Sequence, residues 1–305
     1  MSFKKITITK ENENKRLSTF LLKNYSVNYN ILNQLIRKNK IKINDQKINT
    51  KYLLKFNDQL LIDQEIINKK NDQKKPQKKQ YQPSKEEIKL TTDSIIYKDD
   101  NLIAIDKPCN IATQGGSKIN FNIDCALKFL KFEKTQNPML VHRLDRATSG
   151  ILLLARNSKT AQILTDHFRN KTITKTYLAL VKGIPKQQSG KIDIPLLKKY
   201  QNNQEKVYAD KENGKEAITF YKVIKQYQDH CLLELKPITG RTHQIRVHLK
   251  EIGHPIIGDF KYAGNKNLVK GSKKRLHLHA YQIQIEDFYG KKLQIFAKKH
   301  LDFIN

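Results

Sequence analysis

Residues 69–87, KKNDQKKPQKKQYQPSKEE, decide the plan of this chain before any motif is read. The stretch is rich in lysine and glutamine, holds two prolines and shows no apolar period. It can supply no buried face, so it reads as a linker. A chain interrupted in this way has to build two hydrophobic cores. The predicted organisation is a small module over 14–68, a basic linker over 69–90 and a larger body over 91–305. With 38% hydrophobic residues in 305, the chain has enough apolar material for both cores.

Charge narrows the function. Lys and Arg number 58 against 29 Asp and Glu, a formal surplus of 29. So many like charges repel unless a polyanion neutralises them, and nucleic acid is the natural partner because each phosphate contact releases counterions. A codon bias toward lysine would not by itself remove acids. The three cysteines, Cys109, Cys125 and Cys231, are irregularly spaced and form neither a CxxC pair nor a disulfide framework. The first residues, MSFKKITITKENENK, lack the apolar core of a signal peptide. The longest pure aliphatic run, Ile151 to Ala155, is far short of the ~20 residues that span a bilayer. A soluble, cytoplasmic protein is expected, and a monomer, because no heptad repeat is visible.

Before the linker, Leu17, Phe20, Leu21 and Leu22 mark a short amphipathic helix over 16–23. Ile31, Leu32, Leu35 and Ile36 mark a second, closed by Arg37, Lys38 and Lys40. A strand IKIN, a tight Asp45-Gln46 turn and an apolar stretch over 52–62, broken at Asn57-Asp58, complete the module. Two helices leading into a small sheet, with a basic helix end beside a strand, resemble the S4 RNA-binding module. That resemblance implies an RNA-facing side carrying Arg16, Arg37, Lys38 and Lys40.

After the linker, Ile95–Tyr97 and Leu102–Ile105 flank Lys98-Asp99-Asp100-Asn101 as a hairpin, and Gly115-Gly116 marks a loop. Residues 123–132 read as a helix and 151–156 as a buried strand. Asn157 or Ser158 caps a helix with Ala161, Leu164 and Phe168 on one face. Residues 172–181 read as another strand. Strands and helices do not alternate strictly, so an α+β fold with a mixed sheet is favoured over a doubly wound parallel one.

Three segments carry the chemistry. In Val141-His142-Arg143-Leu144-Asp145-Arg146-Ala147-Thr148-Ser149-Gly150, an acid lies between two arginines in a polar loop feeding an aliphatic strand. Flanking guanidinium groups would keep such a carboxylate ionised, competent as nucleophile or base; equally, the acid could simply stabilise a Ser/Gly turn. In the segment from Thr239 through Leu249, TGRTHQIRVHL, Thr239-Gly240 opens a helix with Ile245, Leu249 and Ile252 buried and Gly253 at its end. His243, Arg246 and Lys250 would then share the opposite, polar side, either as a phosphate or carboxylate site or as an ordinary basic face. In Lys175-Thr176-Tyr177-Leu178-Ala179-Leu180-Val181, a strand, Tyr177 is either core or an aromatic platform for a base drawn out of RNA.

In their order and spacing, HRLDRATSG, KTYLALVKG and PITGRTHQIRVHLKEIGHPIIGD resemble the pseudouridine synthases of the RluA family, and IDKPCNIATQGG fits the strand ahead of the family's active site. The resemblance spans nearly all of residues 14–290. It implies a pseudouridine synthase fold, with a central mixed, mainly antiparallel sheet flanked by helices behind a small S4-like α/β domain. It also implies isomerisation of uridine in RNA with no cofactor and no metal. By that resemblance Asp145 is the catalytic carboxylate, attacking either the sugar C1′ or the uracil C6. Tyr177 stacks on the target uracil and helps remove its C5 proton, and Arg246 pairs with Asp145. Arg143 fills the gap left by the flipped nucleotide, with Arg241, His243 and Gln244 in support. The S4-like module and the Gly115-Gly116 loop favour the large-subunit (23S) ribosomal RNA or its pre-50S particle as partner. Transfer RNA, another ribosomal site and a non-catalytic assembly role are the alternatives. One residue departs from the family pattern: Ala147 stands where close relatives are expected to carry Asp, which implies tuning of the loop. His277 and His279 share one side of a predicted strand without a third ligand nearby and read as structural or RNA-contacting.

Overall fold

In the computed structural model, the structure describes residues 3–25, 29–50, 52–63, 81–115, 120–201, 204–264, 267–269 and 271–298. The chain forms two compact units, 1–80 and 81–305.

The N-terminal unit is built from strand β1 (Phe3–Thr7), helices α1 (Leu17–Asn24) and α2 (Tyr29–Arg37), and strands β2 (Ile41–Ile43) and β3 (Gln59–Asp63). The strands form an antiparallel sheet in the order β1-β3-β2. Leu17, Phe20 and Leu21 of α1 meet Leu32 of α2 and Ile41, Ile43, Leu60 and Ile62 of the sheet in one core. The tight turn expected at Asp45-Gln46 is present: Asn44 and Asp45 take φ of 50° and 60°, which short polar side chains tolerate. Two features were not legible. β1 precedes the predicted boundary at residue 14, yet all five of its residues pair with β3. Lys40, expected to face RNA, lies 3.1 Å from the buried Asp63 carboxylate. Arg16, Arg37 and Lys38 are exposed.

The second unit begins inside the segment read as linker. Helix α3 (Lys85–Asp93) occupies the end of 69–90, nucleated by a capping box in which Ser84 and Glu87 satisfy each other's backbone N–H groups. Residues 69–80 lie outside the described residues. The expected hairpin follows as β4 (Ile95–Lys98) and β5 (Leu102–Lys107). The helix expected over 123–132 is a single turn, α4 (Ile123–Ala126), continued as a 3₁₀ turn over Leu127–Leu130. Then come β6 (Met139–Leu140), β7 (Ser149–Ala155), α5 (Ser158–Arg169) and β8 (Ile173–Lys182). Next are β9 (Ser189–Asp193), a hairpin of β10 (Leu196–Gln201) and β11 (Gln204–Ala209), β12 (Ile218–Gln226) and β13 (His230–Pro237). Helices α6 (Gln244–Glu251) and α7 (Phe260–Ala263) and strands β14 (Leu278–Phe288) and β15 (Lys291–Phe296) complete it. Asn157 caps α5 by accepting from the Thr160 N–H at 2.8 Å.

The main sheet runs β4-β5-β7-β14-β8-β13-β12-β9, with β15 on β14 and β6 on β7. It is mixed and mainly antiparallel, as the sequence suggested. β5 and β7 are buried from end to end because helices cover both faces. Leu102, Ala104, Ile151 and Leu153 enter one core with Leu164 of α5; Ile103, Ile105, Leu152 and Leu154 enter another with Ile123 and Leu130. Each fully buried Leu or Ile there contributes roughly 1.5–3 kcal/mol of transfer free energy. β7 and β14 pair in parallel only at Ser149–His279 and Gly150–Ala280. At that junction Gly150 has φ of +108°, and a Cβ on it would sit 2.2 Å from the Ala280 carbonyl oxygen. Only glycine fits so close an approach.

Candidate active site

The Gly150 junction fixes where Asp145 stands. The loop of residues 143–148 leads directly into β7 and is tied along its length to a second loop, residues 108–113, which leaves β5. Thr113 Oγ1 donates to the Leu144 carbonyl (2.9 Å) and accepts from the Leu144 N–H (3.1 Å). Arg146 Nε donates to the Asn110 carbonyl (3.0 Å), and the Cys109 thiol to the Ala147 carbonyl (2.9 Å). Lys107 lies wholly buried beneath both loops and donates to the carbonyls of Pro108 (2.9 Å), Ile111 (2.8 Å) and Arg146 (3.3 Å). Burial lowers its ammonium to about 8, opposed by the Asp145 and Asp106 carboxylates. The Thr148 N–H returns to the Asp145 carbonyl at 3.1 Å, closing the turn. Arg146 therefore braces the loop instead of flanking the carboxylate, whose side chain remains 27% exposed.

Sheet register brings Tyr177 to the same place. Gly150 pairs with Ala280 on β14, and Ala280 pairs with Tyr177 on β8. Burial, and then the neighbouring Asp145 charge, raise the Tyr177 phenol above its ordinary value, so it is a neutral ring at neutral pH. Both residues open into a pocket of about 460 Å³, within the size range of small-ligand sites. Arg143, Arg169, Lys171, Lys175 and Arg241 also line it, a cationic wall suited to phosphates. In the pocket wall His142 stacks on Phe168 with centroids 4.4 Å apart, and its Nε2 accepts the Leu153 N–H at 2.8 Å.

The third segment departs from expectation in an instructive way. α6 starts at Gln244, not at Thr239-Gly240, because His243 takes a left-handed φ of 54° at its N-cap. The turn before it is held by Gln244. Its side-chain oxygen accepts from Thr239 Oγ1 (2.7 Å) and the Arg241 N–H (3.0 Å), while its nitrogen donates to the Ile218 carbonyl (2.9 Å) and Thr219 Oγ1 (3.0 Å). That saturates the amide, so Gln244 is a scaffold for the pocket wall and has no donor left for RNA. His243 and Arg246 are largely buried, not on a polar face as expected; their side chains are 13% and 7% exposed.

The pairing expected for Arg246 is also different. Its guanidinium makes two hydrogen bonds to Asp259, at 2.9 and 2.6 Å, with Asp259 only 1% exposed. Among the described residues, the basic side chain within ion-pair distance of Asp145 is His243, with Nε2 3.8 Å from Oδ2. A bidentate partner of matching geometry outcompetes a looser one across the pocket. Arg241 is exposed, its Nε donating to the Glu216 carbonyl at 3.0 Å, and Arg143 is exposed at the pocket. His279 shares a 2.9 Å hydrogen bond with Ser149, and His277 Nε2 lies 3.1 Å from the Lys273 carbonyl oxygen. Asp259, Tyr262, Lys107 and Thr113 were not singled out from sequence. The available signals were a lone lysine ending an aliphatic strand, LIAIDK, and a lone acid closing the apolar run HPIIGD.

A carboxylate held on a pinned loop at a sheet junction, with a half-buried tyrosine beside it in a cation-lined pocket, defines an enzyme that works on a nucleotide of RNA. The family model described as RNA pseudouridylate synthase matches residues 101–251. The ribosomal large subunit pseudouridine synthase C of Rickettsia felis is 39% identical over 288 residues, 93% of this chain and 92% of that protein. Its namesake from Haemophilus influenzae is 36% identical over 290 residues, 93% of this chain and 88% of that one. Among solved structures, Human RNA Pseudouridylate Synthase Domain Containing 4 aligns with a TM-score of 0.59 at 27% identity, covering 71% of this chain and 94% of that one. The chain belongs to the RNA pseudouridylate synthase family, and its catalytic unit has that fold.

Proposed function

We propose that this enzyme converts specific uridines of large-subunit (23S) ribosomal RNA to pseudouridine, with Asp145 as the reacting carboxylate. The observation that carries the reading is the Asp145 carboxylate, set by two cross-tied loops and opening with Tyr177 into one cation-lined pocket. The names of the relatives that span nearly the whole chain support the choice of RNA.

The reaction breaks the N1–C1′ bond and forms C5–C1′; C5 loses its proton, N1 gains one, and the bond to Asp145 is broken again, so the product is an isomer and the carboxylate is regenerated. Nothing is oxidised or hydrolysed. Asp145 attacks C1′ or C6, and the neutral Tyr177 ring stacks on the uracil while it turns. Extruding the nucleotide costs a few kcal/mol. Arg143, planar and exposed beside the pocket, suits the gap left behind. Arg241, Lys171 and Lys175 receive the phosphates on either side, and His243 and Arg246 hold part of the pocket wall. Arg16, Arg37 and Lys38 extend the RNA contact onto the N-terminal, S4-like unit, whose exposed cations support that role. The enzyme acts as a cytoplasmic monomer on RNA or on an assembling large-subunit particle.

Mapping pseudouridines across ribosomal and transfer RNA, with and without the gene, tests the substrate. Loss confined to 23S positions is expected. Loss confined to transfer RNA would contradict the assignment of substrate while leaving the chemistry intact.

A further inference from the structure

Between Asp145 and the β10–β11 hairpin runs a chain of polar atoms that the reaction scheme above does not use. The Val207 N–H on β11 donates to Tyr262 Oη at 3.2 Å. Tyr262 Oη lies 2.7 Å from His243 Nδ1, and His243 Nε2 lies 3.8 Å from Asp145 Oδ2. From its left-handed N-cap position on α6, the His243 ring presents one nitrogen to each neighbour. Tyr262 is itself fixed: its ring lies 5.0 Å from the Arg246 guanidinium, and Arg246 is clamped by Asp259.

Counting donors assigns the protons. Burial holds the His243 imidazole well below its usual value. The Asp145 and Asp259 charges oppose that effect, and Arg246 and Lys261 reinforce it. The ring is therefore neutral at neutral pH and carries a single N–H. Burial pushes the Tyr262 phenol up to about 12, so it keeps its proton. Its oxygen already accepts from Val207, and its one O–H is free to donate. If that O–H goes to Nδ1, the imidazole proton sits on Nε2 and points at the carboxylate. The reverse arrangement would set a nitrogen lone pair against an anion in a largely buried site.

We propose that Tyr262 is a positioning residue: its O–H, oriented by the Val207 N–H, holds His243 as the Nε2–H tautomer and thereby aims a neutral donor at Asp145. A neutral donor orients one carboxylate oxygen without pairing away its charge, while Arg246, hydrogen-bonded to Asp259, acts on Asp145 through its charge. The 3.8 Å gap is the loose form of a contact that tightens once a nucleotide fills the pocket. This inference rests on the reading of Asp145 as the reacting group.

The test has two arms on the full-length protein. In the first, nitrogen-15 spectra of histidine-labelled enzyme, assigned with His243→Gln, read the tautomer without RNA. Protonation at Nε2 in the wild type, lost or mixed in Tyr262→Phe, is expected; protonation at Nδ1 in the wild type overturns the proposal. In the second, single-turnover pseudouridine formation is measured on a 23S transcript. Tyr262→Phe should slow the step about 10- to 100-fold, the range that removing an outer partner of a functional histidine costs in metal sites, with RNA affinity unchanged. His243→Gln carries its own amide N–H where Nε2 was, so adding Tyr262→Phe to it should change the rate less than about twofold. An equal factor in both backgrounds would make Tyr262 merely structural and overturn the proposal. The spectral arm needs no turnover, so it decides the relay separately from whether Asp145 reacts with ribosomal RNA at all.

Discussion

Replacing Asp259 by Asn should destabilise the catalytic unit far more than a single hydrogen bond would suggest. The Arg246 guanidinium is 7% exposed and its two hydrogen bonds to Asp259 are 2.9 and 2.6 Å long. Asn keeps the shape, and its side-chain oxygen can still cap α7, but the buried positive charge is left uncompensated. Breaking such a pair from one side costs about 3–5 kcal/mol. For a unit of this size each kcal/mol lowers the melting temperature by roughly 2–4 °C, which gives a drop of roughly 6–20 °C. Removing both charges is a different perturbation. Arg246→Met with Asp259→Leu should return stability to within about 2 kcal/mol of the parent, because desolvation of the two ions is no longer required and the α7 cap alone is lost. The double variant should nevertheless form no pseudouridine, since the wall beside Asp145 loses the Arg246 guanidinium and its contact with the Tyr262 ring. Thermal unfolding of the catalytic-unit transition and single-turnover product formation give the two readouts. A loss below about 1 kcal/mol in Asp259→Asn, or turnover in the stable double variant, would refute the reasoning.

Three further outcomes are expected. Burial, with a smaller contribution from Lys175, lowers His142 to about 3, below the ~6.5 of an unfolded chain, so its contribution to stability is complete above pH 6.5 and is lost as pH falls toward 3. At pH 5 that loss is at most about 2 kcal/mol, reduced by the residue's remaining solvent contact. His142→Gln, which keeps an acceptor for the Leu153 N–H, should show a correspondingly shallower fall in melting temperature between pH 7.5 and 5; parallel curves would count against it. Gly150→Ala should give insoluble protein or lose about 3 kcal/mol or more, because its Cβ would meet the Ala280 backbone at 2.2 Å. Thr113→Val, nearly isosteric, should cost about 2–4 kcal/mol by orphaning the Leu144 N–H and carbonyl. It should also slow single turnover more than it weakens RNA binding, since the displaced loop carries Asp145.

Residues whose role follows from local periodicity were legible in the sequence. The aliphatic run of β7 announced a buried strand, the apolar residues of β4 and β5 a hairpin, and Asn157 or Ser158 the start of α5. The family resemblance carried by HRLD, KTY and GRTHQIR, not periodicity, implied that Asp145, Tyr177, His243 and Arg246 converge, and all four line one pocket. The rest depended on partners distant in sequence. Nothing near Arg246 indicates that Asp259, thirteen residues on, holds it more firmly than Asp145 does. Helical spacing put His243 on an exposed face; its left-handed backbone, invisible to periodicity, delays the helix and turns the ring inward. The first strand was hidden because FKKIT buries little and gains its place only by pairing with residues 59–63. The helix at 85–93 was hidden because Ser84 and Glu87 sit inside a run that reads as polar linker.

The central claim stands or falls on the carboxylate at position 145. Its most direct test is single-turnover release of tritium from 23S RNA labelled at uracil C5, comparing wild type with Asp145→Asn at matched RNA occupancy. Release by the wild type and a fall of about 10⁴-fold or more in the variant, with RNA affinity unchanged, is the predicted result. Release by the variant at a rate near that of the wild type would contradict it.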